Sequence, residues 1–565
     1  MTQRMLSICF VWHMHQPLYK DRLSGKYLMP WVRLHAIKDY FDMVKILEGF
    51  PKIRQTFNLV PSLIEQLEDY GHNQAVDEQL LLTIKPAEDY TTYDKAFILN
   101  ESFHANLERQ IKVHAPFFEL YLKRQKLLTK GRSVENILDQ FTNQEYADLA
   151  AWMNLCWFDP MWQQSIDELK ALNAQGNNFS LKQRQRIIEI QRDLIRQIIP
   201  YYRRMQDEGQ IEVTTTPYYH PILPLLIDTY AARLPNPNVV LPQQLFFHRD
   251  DAVRQVKAGL DLYEHYMGRK ARGMWPSELS ISPSAVEIIA SQGVKWIVAD
   301  EALLVKTTGL NIYRDQYGNL NSADTLCQPY ELRVGDEKIN IVFREVVLSN
   351  EISFSYGSRE PEEAASALYM RLKHIQHQLA NSNREGMIVI ALDGENCWET
   401  YVDDGWPFLE ELYRRLSTDN TLNVCTVSDY LERQPAAARL PRIETGSWIG
   451  ADFHIWIGDP EKNRAWDLLA GTRNFLVDEL KKKTYSEAVK EAAWEEIYAA
   501  EGSDWFWWFG EPNNSAHDTI FDQQFRLRLQ NVYKILGQNY PPELDKPIAN
   551  TEPKTAPLIP TSLIV

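Results

Sequence analysis

Two hydrophobic rhythms divide this chain. Through residue 400, short apolar runs rich in β-branched residues alternate with stretches whose apolar positions recur every three or four residues. LSICFVW, IRQTFNLV, IEVTTTP, GMWPSE, VKWIVADE, INIVFRE and GMIVIALDG read as strands. Between them, a stretch near residues 31–49, PSLIEQLEDYG, DAVRQVKAGLDLYEHYMG, SPSAVEIIASQG and EPEEAASALYMRLKHIQHQLA read as helices. Gly71 and Gly268 close two of these, and Ser282 caps another with Pro283 at its first position. Such alternation predicts a parallel sheet covered on both faces, most simply a β/α barrel over residues 1–400.

Two stretches depart from that rhythm. Residues 95–208 are almost continuously helical in pattern and read as an insertion. Residues 401–540 are again mainly helical, apart from an irregular stretch at 434–460, and predict a second, helical domain. Residues 541–565 carry several prolines and no periodicity, so a mobile tail is expected.

Composition narrows the function classes. Of 565 residues, 44% are hydrophobic and 24% charged, as in a water-soluble globular protein. The formal charge of −16 disfavours nucleic acid and anionic membranes as partners, and fits a neutral substrate. Cys9, Cys156, Cys327, Cys397 and Cys425 are scattered and lack a CxxC pair, which suits reduced thiols rather than disulfides or a zinc site. The opening MTQRMLSICFVWHMHQP has no apolar leader, so a cytoplasmic location is expected. Sixteen Trp and 27 Tyr suit cores and sugar faces alike.

Five segments gather ionisable and aromatic residues where strands end, the mouth of a β/α barrel. WHMHQP sets His13 and His15 on one side of an extended chain; they read as structural or substrate-bonding residues, because no third metal ligand is evident. GQIEVTTTPYYHP offers Glu212 on a strand and His220 beyond it. RGMWPSELSIS places Glu278 at a strand-to-helix turn beside Trp275. MIVIALDGENCWE runs through six apolar residues and then presents Asp393 and Glu395. EGSDWFWWFGEP holds Asp504, Trp505, Trp507 and Trp508, some of whose rings must be core. Cleaving a glycosidic bond requires two carboxyl groups, one protonating the leaving oxygen and one attacking carbon or activating water. Alone, Asp393 reads equally as a helix cap and Glu278 as a surface acid.

Taken in order, HQP, GQIEV, MWPSE, ALDGEN and GSDWFWW resemble the five sequence regions of glycoside hydrolase family 57, across residues 6–535. GSWIGADFHIWIGDPEKNRAWDLL is similar to a segment of its amylopullulanase-like members, and the HQP form differs from that of its branching enzymes. The resemblance implies an incomplete seven-stranded β/α barrel whose helical C-terminal domain returns its fifth region to the active site. It also implies retaining cleavage of α-glucosidic bonds in starch- or glycogen-type glucans, without a cofactor. Glu278 would be the nucleophile and Asp393 the general acid/base, about 5–5.5 Å apart. His15, Glu212 and Asp504 would line the cleaved sugar's subsite, with His13, His220, Trp275, Glu395 and Trp505 as further substrate-binding positions and no metal ligand among them. A 4-α-glucanotransferase using the same residues, a metal-dependent sugar hydrolase or deacetylase using His13 and His15, and a non-catalytic glucan-binding protein are the alternatives. Sequence leaves the oligomeric state open.

Overall fold

The computed structural model describes residues 5–549 apart from 130, 382, 383, 514 and 516. Ten strands share one sheet: β1 (Leu6–Met14), β2 (Gln55–Leu59), β3 (Ile211–Thr214), β4 (Gly273–Met274), β5 (Trp296–Asp300), β6 (Tyr330–Val334), β7 (Glu337–Arg344), β8 (Gly386–Asp393), β9 (Leu422–Val424) and β10 (Ala438–Leu440). Seven of them run parallel around a nearly closed barrel in the order β3, β2, β1, β8, β7, β5, β4. Two seams are thin. A single bridge, Thr215 to Met274, joins β3 to β4, and β7 meets β8 only at Arg344 and Val389.

Side-chain alternation along the strands sorts the barrel into an inside and an outside. Cys9, Val11, Trp296, Val298, Val342, Met387, Val389 and Ala391 form one buried cluster, which fills the barrel. Their intervening neighbours, such as Ile8, Phe10, Trp12, Ile388, Ile390 and Leu392, belong to the larger core beneath the surrounding helices. Continuing that period of two, the next inward positions are His13 on β1 and Asp393 on β8, which are register partners.

The helical insertion lies between β2 and β3 and ends in a long amphipathic helix, Leu181–Asp207. Beyond residue 400, β9 pairs with the first residues of β1, and β10 extends the sheet through β6. Both strands are three residues long, too short for a period to show. Within 541–549, Leu544 and Ile548 are buried, and Arg464 donates to the Pro547 carbonyl. The rest of the expected tail lies outside the described residues.

Candidate active site

The barrel mouth is built one strand end at a time. His13 Nδ1 lies 2.6 Å from Asn58 Oδ1, at the matching position of β2. Arg344 ends β7, and Asp393 ends β8. The chain beyond β1 then turns so that the His15 amide donates to Glu395 Oε1 (3.0 Å), tying the loop after β1 to the loop after β8.

Glu278 reaches the mouth through a strained turn. Glu278 (φ 56°) and Leu279 (φ 45°) both occupy the left-handed region, which costs residues with side chains about 1–3 kcal/mol each. A second segment clamps this turn: Gly446 exchanges backbone hydrogen bonds with Ile281, and the Trp448 amide donates to the Glu278 carbonyl. Position 446 requires glycine, since a Cβ there would sit 2.4 Å from the Ala451 carbonyl oxygen. The clamp then delivers the Trp448 indole, whose Nε1 donates to Glu278 Oε2 at 2.8 Å.

The helical C-terminal region supplies the third wall. Gly502 bridges to Pro221, and the Ser503 amide donates to the His220 carbonyl. The short helix Ser503–Trp507 follows, with Asp504 Oδ1 2.7 Å from His15 Nε2. Residues three and four positions apart share a helix face, so Trp507 and Trp508 accompany Asp504 to the cavity. Together these walls enclose about 290 Å³, lined by Glu278, Asp393, His13, His15, His220, Arg344, Trp448 and the 504–508 face among others.

Burial dominates the electrostatics. It pushes Glu278 up to about 8, helped by the charges of Asp393 and Asp504 and opposed by hydrogen bonds from Trp448 and Ser503. Burial likewise pushes Asp393 up to about 7, against His15, Arg344 and a hydrogen bond from Asn396. Glu395 is also raised, by burial and then by the Asp393 charge. Near neutral pH Glu278 and Asp393 therefore retain protons that exposed carboxyls would have lost. Burial lowers His13 and His220, with neighbouring imidazoles adding to the effect, so both stay neutral.

With that geometry in place, comparison with known proteins decides the family. The sequence profile of Glycosyl hydrolase family 57 matches residues 9–442. The chain belongs to this family. An α-amylase of Pyrococcus horikoshii is 25% identical over 232 residues, covering 40% of this chain and 29% of the relative. A 4-α-glucanotransferase of Thermococcus kodakarensis is 23% identical over 237 residues, covering 41% and 29%. The matched stretch thus spans under a third of these curated relatives. Among solved structures, a family 57 branching enzyme of Pyrococcus horikoshii superposes with a TM-score of 0.59 at 17% identity, covering 98% of each chain. An α-amylase of Thermotoga maritima gives 0.56 at 12% identity, covering 96% and 95%. At these identities the structural likeness concerns the fold.

Of the residues the family 57 regions pointed to, the structure brings His13, His15, His220, Glu278, Asp393, Glu395 and Asp504 to one cavity. Trp275 is buried behind them, its ring stacked on His13 at 4.5 Å. Two expected residues go elsewhere. Glu212 points into the barrel but one layer deeper, paired in register with Thr56 rather than Asn58. It accepts from the Ser428 amide (3.0 Å), the Ser428 hydroxyl (2.5 Å) and Trp296 Nε1 (3.2 Å), and does not line the cavity. Trp505 turns away from Asp504 into the core, donating to the Ala499 carbonyl (2.7 Å) beneath the Arg528 guanidinium. Trp507 and Trp508 face the cavity.

A third imidazole also joins the pair read from the sequence. The nitrogens of His13, His15 and His220 lie within 4.8 Å of one another, so the expectation that no third ligand exists is corrected. The rings are stacked, however, with His15 and His220 4.1 Å apart at 28° and His13 and His15 5.6 Å apart at 23°. Imidazole lone pairs lie in the ring plane, so stacked rings aim past one another rather than at one ion. Asp504 and Asn58 engage one nitrogen each of His15 and His13, while His15 Nδ1 and His220 Nε2 are buried without a hydrogen-bond partner, so ring orientation is what argues against a shared ion. Sequence reasoning missed Trp448 and Arg344. The glycines of GSWIG were the available clue to Trp448, since Gly446 lies against the Ala451 backbone and Gly450 has φ 62°.

Proposed function

We propose that this family 57 protein is a retaining α-glucan hydrolase, with Glu278 as nucleophile and Asp393 as general acid/base. The observation that carries this reading is two buried carboxyls, both raised toward neutrality, facing one tryptophan-lined cavity. In the first step Asp393 protonates the departing glycosidic oxygen while Glu278 attacks the anomeric carbon. Water then cleaves the glycosyl-enzyme as Asp393 takes its proton. Those roles require the proton on Asp393. In the free cavity burial raises both carboxyls. A glycosidic oxygen arriving at Asp393, with Trp448 and Ser503 donating to the Glu278 anion, favours that placement.

His15, held by Asp504, and neutral His220, 3.8 Å from Glu278 Oε1, would bond sugar hydroxyls, and the rings of Trp507 and Trp508 would cover sugar faces. The same cavity serves an acceptor sugar in place of water, as in the relative named a 4-α-glucanotransferase. A cytoplasmic setting suits five reduced thiols, all buried. Among the described residues no helix is long and apolar enough to cross a membrane. Incubation with maltooligosaccharides and pullulan tests the substrate. Release of reducing ends favours hydrolysis, chain-length redistribution favours transfer, and no turnover of either substrate rejects the reading. Proton NMR of fresh product decides the stereochemistry. A first-formed β-anomer would reject retention, and a fluorinated glycosyl fluoride that labels a peptide lacking Glu278 would reject the nucleophile.

A further inference from the structure

A second cluster lies outside the catalytic cavity and differs from the stacked imidazoles in one decisive respect. Glu101 ends the helix Thr92–Glu101 of the insertion, His104 follows in the next turn, and His517 immediately precedes the C-terminal helix Asp518–Ile535. One donor atom from each lies within 4.8 Å of the others. His104 and His517 meet edge to face, centroids 4.9 Å apart and planes at 86°. Perpendicular rings, unlike parallel ones, can direct in-plane lone pairs at a common point.

The nitrogen chemistry points the same way. His517 is 4% exposed, and its Nε2 is buried without a hydrogen-bond partner. His104 Nδ1 approaches Glu101 Oε2 to 3.0 Å without hydrogen-bond alignment. A buried, unpartnered imidazole nitrogen is unfavourable unless something fills it. We infer that Glu101, His104 and His517 form a binding site for a zinc-type divalent ion, its fourth position left to water. Two imidazoles and one carboxylate suit Zn²⁺ by ligand type, and closing to tetrahedral edges of about 3.4 Å asks for small side-chain shifts. Glu101 and His104 are half-exposed and free to make them.

The ion would act as a staple. Its ligands come from the insertion and from the C-terminal region, on either side of a second cavity lined by Trp31, Trp157 and Phe521. That cavity shares Asn396 and Trp508 with the catalytic one. Binding would therefore hold one wall of the substrate path without entering the chemistry.

The test titrates the chelator-stripped full chain with Zn²⁺ by calorimetry and with Co²⁺ by visible absorption. One equivalent should bind, with a tetrahedral cobalt spectrum. His104→Gln and His517→Gln should each weaken binding ~100-fold or more, while their unliganded circular dichroism and Tm match the stripped wild type. Zn²⁺ should raise the Tm of the wild type and not that of His517→Gln. His220→Gln should leave the titration unchanged. No saturable equivalent, binding that survives both ligand substitutions, or binding abolished by His220→Gln would each overturn the assignment.

Discussion

The barrel buries carboxylates at two depths and treats them in opposite ways. Deep inside, Glu212 receives three hydrogen bonds from Ser428 and Trp296. At the mouth, Glu278 has one short donor, Trp448, with the Ser503 hydroxyl at 3.4 Å, and Asp393 faces the cavity. Burial raises all three groups, but only the mouth pair also borders open space and other acids. A saturated buried carboxylate holds the chain together. An under-saturated one is a reagent, because a substrate can supply the missing partner.

The largest effects should separate these depths. Glu278→Gln and Asp393→Asn should each lower kcat ~10³-fold or more on maltooligosaccharides, with unchanged folding by circular dichroism. Glu212→Gln should do the reverse. Its amide would face the Ser428 amide donor to donor, costing about 1–3 kcal/mol of stability, while kcat stays within a few-fold of wild type. A catalytic loss in Glu212→Gln comparable to that of the mouth variants would erase the distinction.

Next in size is Trp505. It is 1% exposed in the core, so Trp505→Ala should cost about 3–5 kcal/mol in denaturant unfolding and leave kcat/KM of the folded fraction unchanged. Trp507→Ala should barely move stability but should raise KM about 10-fold, as expected for loss of a ring over a sugar. Reversed outcomes would return Trp505 to the cleft.

These two rings also show where sequence stops being informative. Seven of the ten strands were legible, most of them from β-branched apolar runs, and His13 and Asp393 were found as ionisable residues where two of those runs end. GSDWFWW was harder. As sequence neighbours, Asp504 and Trp505 invite a shared role, yet a single helical turn sets them about 100° apart and aligns Asp504 with Trp507 and Trp508. Glu212 looked like a mouth residue because a strand pattern gives the face a residue points to and not its depth in the barrel. Trp448 was hidden for another reason: it arrives through a backbone clamp with no periodicity at all.

A smaller effect concerns pH and stability. Folding raises Glu278 to about 8 and Asp393 to about 7, above their ordinary values of 4.5 and 3.8, so the folded chain binds protons the unfolded chain releases. Their stabilisation is complete below about pH 4 and is lost as pH rises through 7 and 8. Glu278→Gln and Asp393→Asn remove that loss. Each variant should therefore melt above wild type at pH 9, with the difference shrinking toward pH 5. Equal melting curves at pH 9 would mean that the mouth carboxyls are ordinary.

The smallest predicted effect is the most specific to the mouth. Trp448 Nε1 donates to Glu278 Oε2 at 2.8 Å, a bond that favours the anion and opposes the rise caused by burial. Trp448→Phe keeps an aromatic body against Trp275 and removes only the donor. Without it the Glu278 anion is less favoured, so its pKa rises further. The limb of the pH–rate profile that needs this anion, the acidic one, should move to higher pH. A hydrogen bond to a charged group contributes about 1.5–3 kcal/mol, so the limb should move by about 1–2 pH units. At the optimum, where Glu278 is ionised, kcat should fall by about 10-fold or less. Glu212 offers the control: Trp296→Phe removes one of its three donors, and this should leave the acidic limb where it was, because the deep carboxylate does not line the cavity. A limb that moves equally in both variants would place the titrating group below the mouth and dissolve the contrast between the two depths.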